Sequence, residues 1–270
     1  MSKKKRPPIP HFDHPIIETH CHLDYLDAEE LTGALAAAAE VGVEQIVTIA
    51  VSPDNLDRVI AISESADNVW CTQGIHPHEA ETWNSEVAGR VRAGCGHPRV
   101  LAVGEIGLDY FYDHADRKAQ AAAFDEQLQI AAEQALPIVV HTREADEDTE
   151  AVLRNHLSTL SKRGVIHSFT SGLALAEFCL AEGFMLGFNG ITTFRNADNV
   201  RAVVAATPVE QLVLETDAPY LTPVPYRGVR NAPCYLPFIA EKVAEIKQIP
   251  VETLLGHAWE NSQRLFFDAA

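Results

Sequence analysis

Short apolar, β-branched runs alternate along the chain with longer stretches whose apolar positions recur every three or four residues. The first pattern predicts strands and the second amphipathic helices. Eight runs read as strands: "IIETHCH" (16–22), "QIVTIAV" (45–51), "VWCTQGIH" (69–76), "VLAVGEIG" (100–107), "PIVVHT" (137–142), "GVIHSF" (164–169), "FMLGFNG" (184–190) and "QLVLETD" (211–217). Helical spacing marks segments between them, such as 27–41, 116–135 and 144–157. Phe124, Gln127 and Leu128 form the expected inward face of the second of these, and Asp24 is expected to cap the first. Alternating strands and helices imply βαβ units and a parallel sheet. Eight units in 270 residues suit an α/β fold of the (β/α)8 TIM-barrel type, for which about 250 residues is typical.

No linker rich in Pro, Gly or Ser divides the chain, so a single barrel domain over 16–270 is expected. It follows a basic, proline-rich arm (1–15) that reads as disordered and lacks the apolar core of a signal peptide. The irregular, proline-rich stretch 218–233 comes directly after the eighth strand. Loops of that length in a compact domain are usually functional.

The polar residues that break the apolar runs fall at strand ends. They are His20 and His22, His76, Glu105, His141, His167 and Asp217, supplied by six of the eight predicted strands. In a (β/α)8 barrel those ends converge on one face, where several strands contribute catalytic groups. Strand alternation makes His20 and His22 project together with Cys21 opposite, and pairs His141 with Arg143. Each residue alone has a structural explanation: a hydrogen-bonded histidine, or a helix-capping role for Asp217. A buried, unpaired Glu105 would be costly, so a charged partner or a metal is expected there. Imidazoles and carboxylates facing one cavity have the composition of a metal site, and their number points to two ions.

Composition narrows the function classes. The formal net charge of −17, with no obvious basic stripe, argues against a nonspecific duplex binder. Five scattered cysteines without a CxxC pair indicate neither a disulfide framework nor a zinc ribbon, and a cytoplasmic, reducing location is expected. No apolar run reaches membrane-spanning length. No membrane association or protein partner is implied, and a monomer is expected.

The motifs "THCHLD" (19–24), "GIHPH" (74–78), "GEIGLDYFYD" (104–113), "PIVVHTREADEDT" (137–149), "IHSFTSG" (166–172), and "ETDAPYLTP" with "RNAP" (215–223, 230–233) together resemble the TatD family of metal-dependent deoxyribonucleases. The resemblance runs from about residue 16 to "NSQRLF". It implies a distorted amidohydrolase-like barrel with two divalent cations (Mg, Zn or Mn). It makes His20, His22 and Asp217 ligands of one metal, Glu105 a bridging carboxylate, and His141 and His167 ligands of the second. His76 is similar to a phosphate-contacting residue beside the metals. Arg143, Arg227, Arg230 and Asn231 are expected phosphate contacts by position. Two departures stand out: Glu18 where the family often has Asp, and "HSFTSG" for the commoner "HCFTG". Neither removes an expected ligand.

The implied reaction is hydrolysis of a phosphodiester in DNA, 3′–5′ exonuclease-like on single-stranded or frayed ends, with Asp217 and Glu105 catalytic. An amidohydrolase-type attack on an ester, lactone or amide would use the same centre. The arginines of the 218–233 loop favour phosphate.

Overall fold

The computed structural model describes residues 6–268. Eight parallel strands pair in sequence order: β1 (Ile16–Cys21), β2 (Val43–Thr48), β3 (Val69–Gln73), β4 (Val100–Asp109), β5 (Ile138–Arg143), β6 (Gly164–Ile166), β7 (Met185–Phe188) and β8 (Leu212–Leu214). Backbone hydrogen bonds from Asp217 N to the His20 carbonyl (2.9 Å) and from His22 N to the Ala218 carbonyl (2.8 Å) tie the β8 end to β1. The result is the expected (β/α)8 barrel.

Nine α-helices lie among the described residues: α1 (Ala28–Ala39), α2 (Leu56–Glu64), α3 (Ser85–Gly94), α4 (Arg117–Gln134), α5 (Asp146–His156), α6 (Leu173–Ala181), α7 (Asp198–Ala206), α8 (Leu236–Lys247) and α9 (Val251–Ser262). None is long and apolar enough to cross a membrane. Helix α1 is capped by Asp27, whose carboxylate accepts from the Glu29 and Glu30 amides, and not by Asp24. A short 3-10 turn, Leu23–Tyr25, delays the helix start, and Asp24 instead accepts from Asn55 Nδ2 at 3.1 Å.

Strand alternation sorts side chains into two layers. Ile46, Ile106, Val140, Ile166, Leu186, Leu212 and Leu214 join the large core that also takes in the helices. Val47, Ala102, Val139, Val165, Met185 and Val213 form a second cluster with Leu265 and Phe266. The closing turn Gln263–Phe267 thus packs Leu265 and Phe266 against the barrel interior, with Phe267 partly buried beside them. Two residues beyond Val139, Val165 and Val213 come His141, His167 and Glu215, so the next interior level is polar.

A register shift in the β4–β5 pairing between Gly104 and Ile106 alters the alternation. Ile106 and Leu108 pack in the outer core, while Glu105 turns inward. Residues 6–15 of the arm make definite contacts. Tyr226 donates to the Pro7 carbonyl (2.7 Å), and the Asp13 and His14 amides donate to Glu252 (3.1 Å each). Residues 1–5 of that arm lie outside the described residues.

Candidate metal centre

His20 and His22 project from the end of β1 on one side. Cys21 turns the other way, where its thiol reaches the Val47 carbonyl at 3.8 Å. Glu105 sits between two sets of imidazoles. Its Oε2 faces His20 Nε2 at 3.4 Å, while Oε1 lies 2.7 Å from His167 Nε2, 3.0 Å from His141 Nδ1 and 3.3 Å from His76 Nε2. Asp217 Oδ1 lies 3.4 Å from His22 Nε2 and 3.7 Å from His20 Nε2. All six sequence-predicted ligands, with His76, therefore meet at the mouth of the barrel.

Four of these residues stand beyond their strands: His22 after β1, His76 after β3, His167 after β6 and Asp217 after β8. β6 ends at Ile166 and β8 at Leu214. Asp217 adopts φ +57° and Ser168, next to His167, φ +46°. This left-handed backbone is costly for residues other than glycine and collects at functional sites. Asp217 is held in it by its amide bond to His20 and by the Tyr220 amide, which donates to the Asp217 carbonyl. Gly107, at φ +139°, lies where a Cβ would overlap the His141 carbonyl oxygen.

Protonation follows from burial and facing charge. Burial pushes the Glu105 carboxyl up, but the imidazoles of His167 and His76 and the hydrogen bond from His141 outweigh it, holding it well below the usual carboxylate range. Asp217 is buried too, and the bond from His22 with the His20 and His167 charges brings it below its ordinary value. Burial lowers His76 to about 4 despite Glu105. Burial likewise lowers His20, with a contribution from His167, whose ring stacks on it at 3.8 Å. For His22, His141 and His167 the facing carboxylates overcome burial and raise the imidazole value.

The donors suit divalent cations. His20, His22 and Asp217 form one group whose ligand atoms lie within 4.8 Å of one another; His20, Glu105 and His167 form a second, and His76, Glu105 and His141 a third. Both ring nitrogens of His20 and Nδ1 of His22 are buried without a hydrogen-bond partner. Unpaired buried nitrogens beside ionised carboxylates are expensive unless a cation completes them.

The TatD related DNase family model matches residues 17–267. The chain belongs to the TatD family. It is similar to the uncharacterized metal-dependent hydrolase YabD of Bacillus subtilis, at 34% identity over 93% of this chain and 98% of that one. It is 37% identical to the 3′-5′ ssDNA/RNA exonuclease TatD of Cronobacter turicensis over 96% of this chain and 98% of that one. The crystal structure of YjjV, a TatD homolog from Escherichia coli, superposes with a TM-score of 0.89 at 30% identity, covering 94% of this chain and 98% of that one. The protein is thus a TatD-family metal-dependent hydrolase.

Around this TatD-family centre lie Glu18, already marked by its departure from the family pattern, and two carboxylates that sequence reasoning missed, Asp109 and Glu215. Asp109 is buried. Its Oδ2 accepts from His141 Nε2 (2.9 Å) and lies 3.1 Å from His78 Nε2, while Oδ1 accepts the Phe111 and Tyr112 amides (3.0 and 2.8 Å). By engaging Nε2 it fixes the His141 tautomer that leaves Nδ1 free toward Glu105. Burial raises the Asp109 carboxyl, but the His141 and His78 bonds bring it far below the usual range. Glu215 Oε1 accepts from the Ser168 amide (2.6 Å) and lies 3.5 Å from His167 Nδ1. Glu18 Oε1 accepts the His20 and Thr216 amides at 3.1 and 2.9 Å, and burial pushes this carboxyl up to about 8. The signals were present: counting in twos from Glu105 reaches Asp109, and Glu215 interrupts an apolar run.

The predicted phosphate contacts are more dispersed. The Arg143 guanidinium lies over the rings of Phe111 and Tyr112, 4.0 and 4.8 Å from their centroids. Arg227 covers Phe194 and donates to the Thr222 carbonyl. Arg230 pairs with Glu30 at 3.1 Å and donates to the Tyr25 carbonyl. Asn231 is buried, its amide donating to the Thr216 and Tyr220 carbonyls.

Proposed function

We propose that this hydrolase is a nuclease with a dinuclear centre that removes nucleotides from the 3′ end of single-stranded DNA. The observation that carries the reading is Glu105, which turns one oxygen to His20 and the other to His141, His167 and His76. A carboxylate so disposed suits a bridge between two cations, one held by His20, His22 and Asp217, the other by His141 and His167. The choice of substrate is supported by the TatD-family relative named a 3′-5′ ssDNA/RNA exonuclease.

Divalent cations supply Lewis acidity, making water a nucleophile near neutral pH and offsetting charge on the phosphoryl oxygens. The chain's own residues supply the rest. Asp217, ionised at neutral pH, accepts the proton of the attacking water and orients it. His76 and Arg143 bind the phosphate at the mouth, and Arg227 and Arg230 meet the flanking strand from the rim, on the loop that Asn231 holds in place. The imidazoles of this donor set suit zinc, and its carboxylates suit manganese and magnesium. A reducing cytoplasm agrees with five buried, free cysteines.

The test is cleavage of end-labelled single-stranded DNA by purified protein with and without chelator. Asp217→Asn is expected to lower kcat by about 10²–10⁴-fold, the range for losing a general base. Absence of metal-dependent cleavage, together with turnover of esters or lactones, would replace this reading with the acyl-hydrolase one.

A further inference from the structure

Six large apolar side chains are strongly exposed among the described residues, and four are rings at the barrel mouth: Tyr25 (49%), Phe111 (50%), Tyr112 (51%) and Tyr220 (50%). They form two clusters. Tyr25 follows β1 and Tyr220 follows β8, whereas Phe111 and Tyr112 follow β4, across an eight-stranded barrel from that seam.

Both clusters are continuous with the centre. In the first, the Tyr25 and Tyr220 rings stand edge-to-face at 6.0 Å, joined by a 3.0 Å hydroxyl hydrogen bond, and His22 contacts them at 6.0 and 6.2 Å. In the second, Tyr112 lies 5.4 Å from His78 and stacks nearly parallel on His114 at 5.7 Å, while the Arg143 guanidinium spans Phe111 and Tyr112. A lone exposed ring needs no explanation. Two pre-organised ring clusters, one touching a candidate ligand and the other its hydrogen-bonding network, do.

The surrounding charge narrows the occupant. A cavity of about 600 Å³ beside Arg143 is lined by Glu144, Asp146, Glu147 and Asp148, and the whole chain carries −17. Affinity from counterion release needs several cationic phosphate contacts, and this rim offers few. Stacking needs none, because every nucleobase has a π-face, and it strengthens binding about 5- to 150-fold per base. Paired, stacked bases in a duplex have no free face to present.

We propose that the two aromatic clusters are stacking platforms for unpaired nucleobases on either side of the reacting phosphate, so that the substrate strand is held by its bases more than by its backbone. This rests on the nuclease reading above and specifies its substrate class: an unpaired polynucleotide carrying bases on both flanks.

The test compares labelled oligothymidylate with an abasic oligomer of equal length, in Mg²⁺ or Mn²⁺. Wild type is expected to show a KM for oligothymidylate at least about fivefold below that for the abasic strand, the scale of one stacked base. Tyr25→Ala/Tyr220→Ala and Phe111→Ala/Tyr112→Ala should each move that ratio toward one. Tyr25→Phe/Tyr220→Phe, which keeps the rings and loses the hydroxyl bond, should retain it. Raising salt from about 50 to 200 mM should raise KM less than about tenfold, against about 10³–10⁵ for a protein relying on many phosphate contacts.

Equal KM values for the two strands in wild type, or a fall in kcat alone in the ring-truncated variants, would overturn the platforms while leaving the nuclease reading intact. If neither strand is cleaved, the nuclease reading fails, and anisotropy binding in chelator decides the platforms. Base-dependent binding lost on ring truncation upholds them; base-independent or absent binding removes them. A concentration-dependent dimer abolished by the same truncations would assign the rings to a second copy of the chain, against the proposal.

Discussion

Asp109 decides which nitrogen His141 offers to the centre, since a carboxylate on Nε2 leaves Nδ1 beside Glu105. Asp109→Asn keeps the shape but removes the charge that holds the tautomer. Cation affinity is expected to fall about 10–100-fold, the usual effect of losing such a partner, as read by calorimetric titration. Protons give a second readout. His22, His141 and His167 have raised values, so in the metal-free protein they retain protons to higher pH than a free imidazole. A cation must displace those protons. Binding should therefore release protons and weaken as pH falls, seen as a buffer-dependent heat and a falling association constant. A pH-independent affinity would contradict this assignment. At this scale the ligands were legible because each is a polar residue ending an apolar run. Their supporting carboxylates carry a weaker signal: strand alternation reaches Asp109 and an apolar run contains Glu215, but neither position tells which histidine the carboxylate meets.

The fourth helix positions two of the site loops through glutamines that never touch the centre. Gln127 pairs with the backbone of Ile75, accepting its amide at 2.7 Å and donating to its carbonyl at 3.1 Å, one residue before His76. Gln120 does the same for Asp109, at 2.8 and 3.1 Å. Gln127→Ala leaves both Ile75 groups buried and unpaired, at about 1–3 kcal/mol for each. The variant should lose stability in urea unfolding and, with His76 freed, show a raised KM. Helical spacing placed Gln127 on the inward face, but periodicity carries no information about what that face meets. Strand spacing has the opposite limit. It located β6 and β8 but ran them on to residues 169 and 217, because no glycine or proline marks the left-handed turns at Ser168 and Asp217.

For the whole molecule, the polar mouth depends on a dry floor. Leu265 and Phe266 reach the interior cluster from the far end of the chain and pack with Val47, Ala102, Val139, Val165, Met185 and Val213, from six of the eight strands. Phe266→Ala is expected to cost about 3–5 kcal/mol, the range for a large buried ring, measured by denaturant unfolding. Metal content at low temperature should persist, because the ligands sit on the opposite face. Loss of metal in the folded variant would show that floor and mouth are coupled more tightly than this layering implies.

The sequence by itself determined the alternation of strands and helices, hence the barrel, and the set of ligand-type residues at its strand ends. Both are carried by local periodicity, and a barrel converts strand-end position into a shared location without further instruction. Tertiary structure decided how those residues face one another. The register shift at Gly104–Ile106 turns Glu105 inward, and the left-handed turn at Asp217 aims its carboxylate at His22. It also brought Asp109, Gln120 and Gln127 to bear on the site and gathered four rings at its rim. These are contacts between segments far apart in the chain, and spacing along one segment holds no record of them.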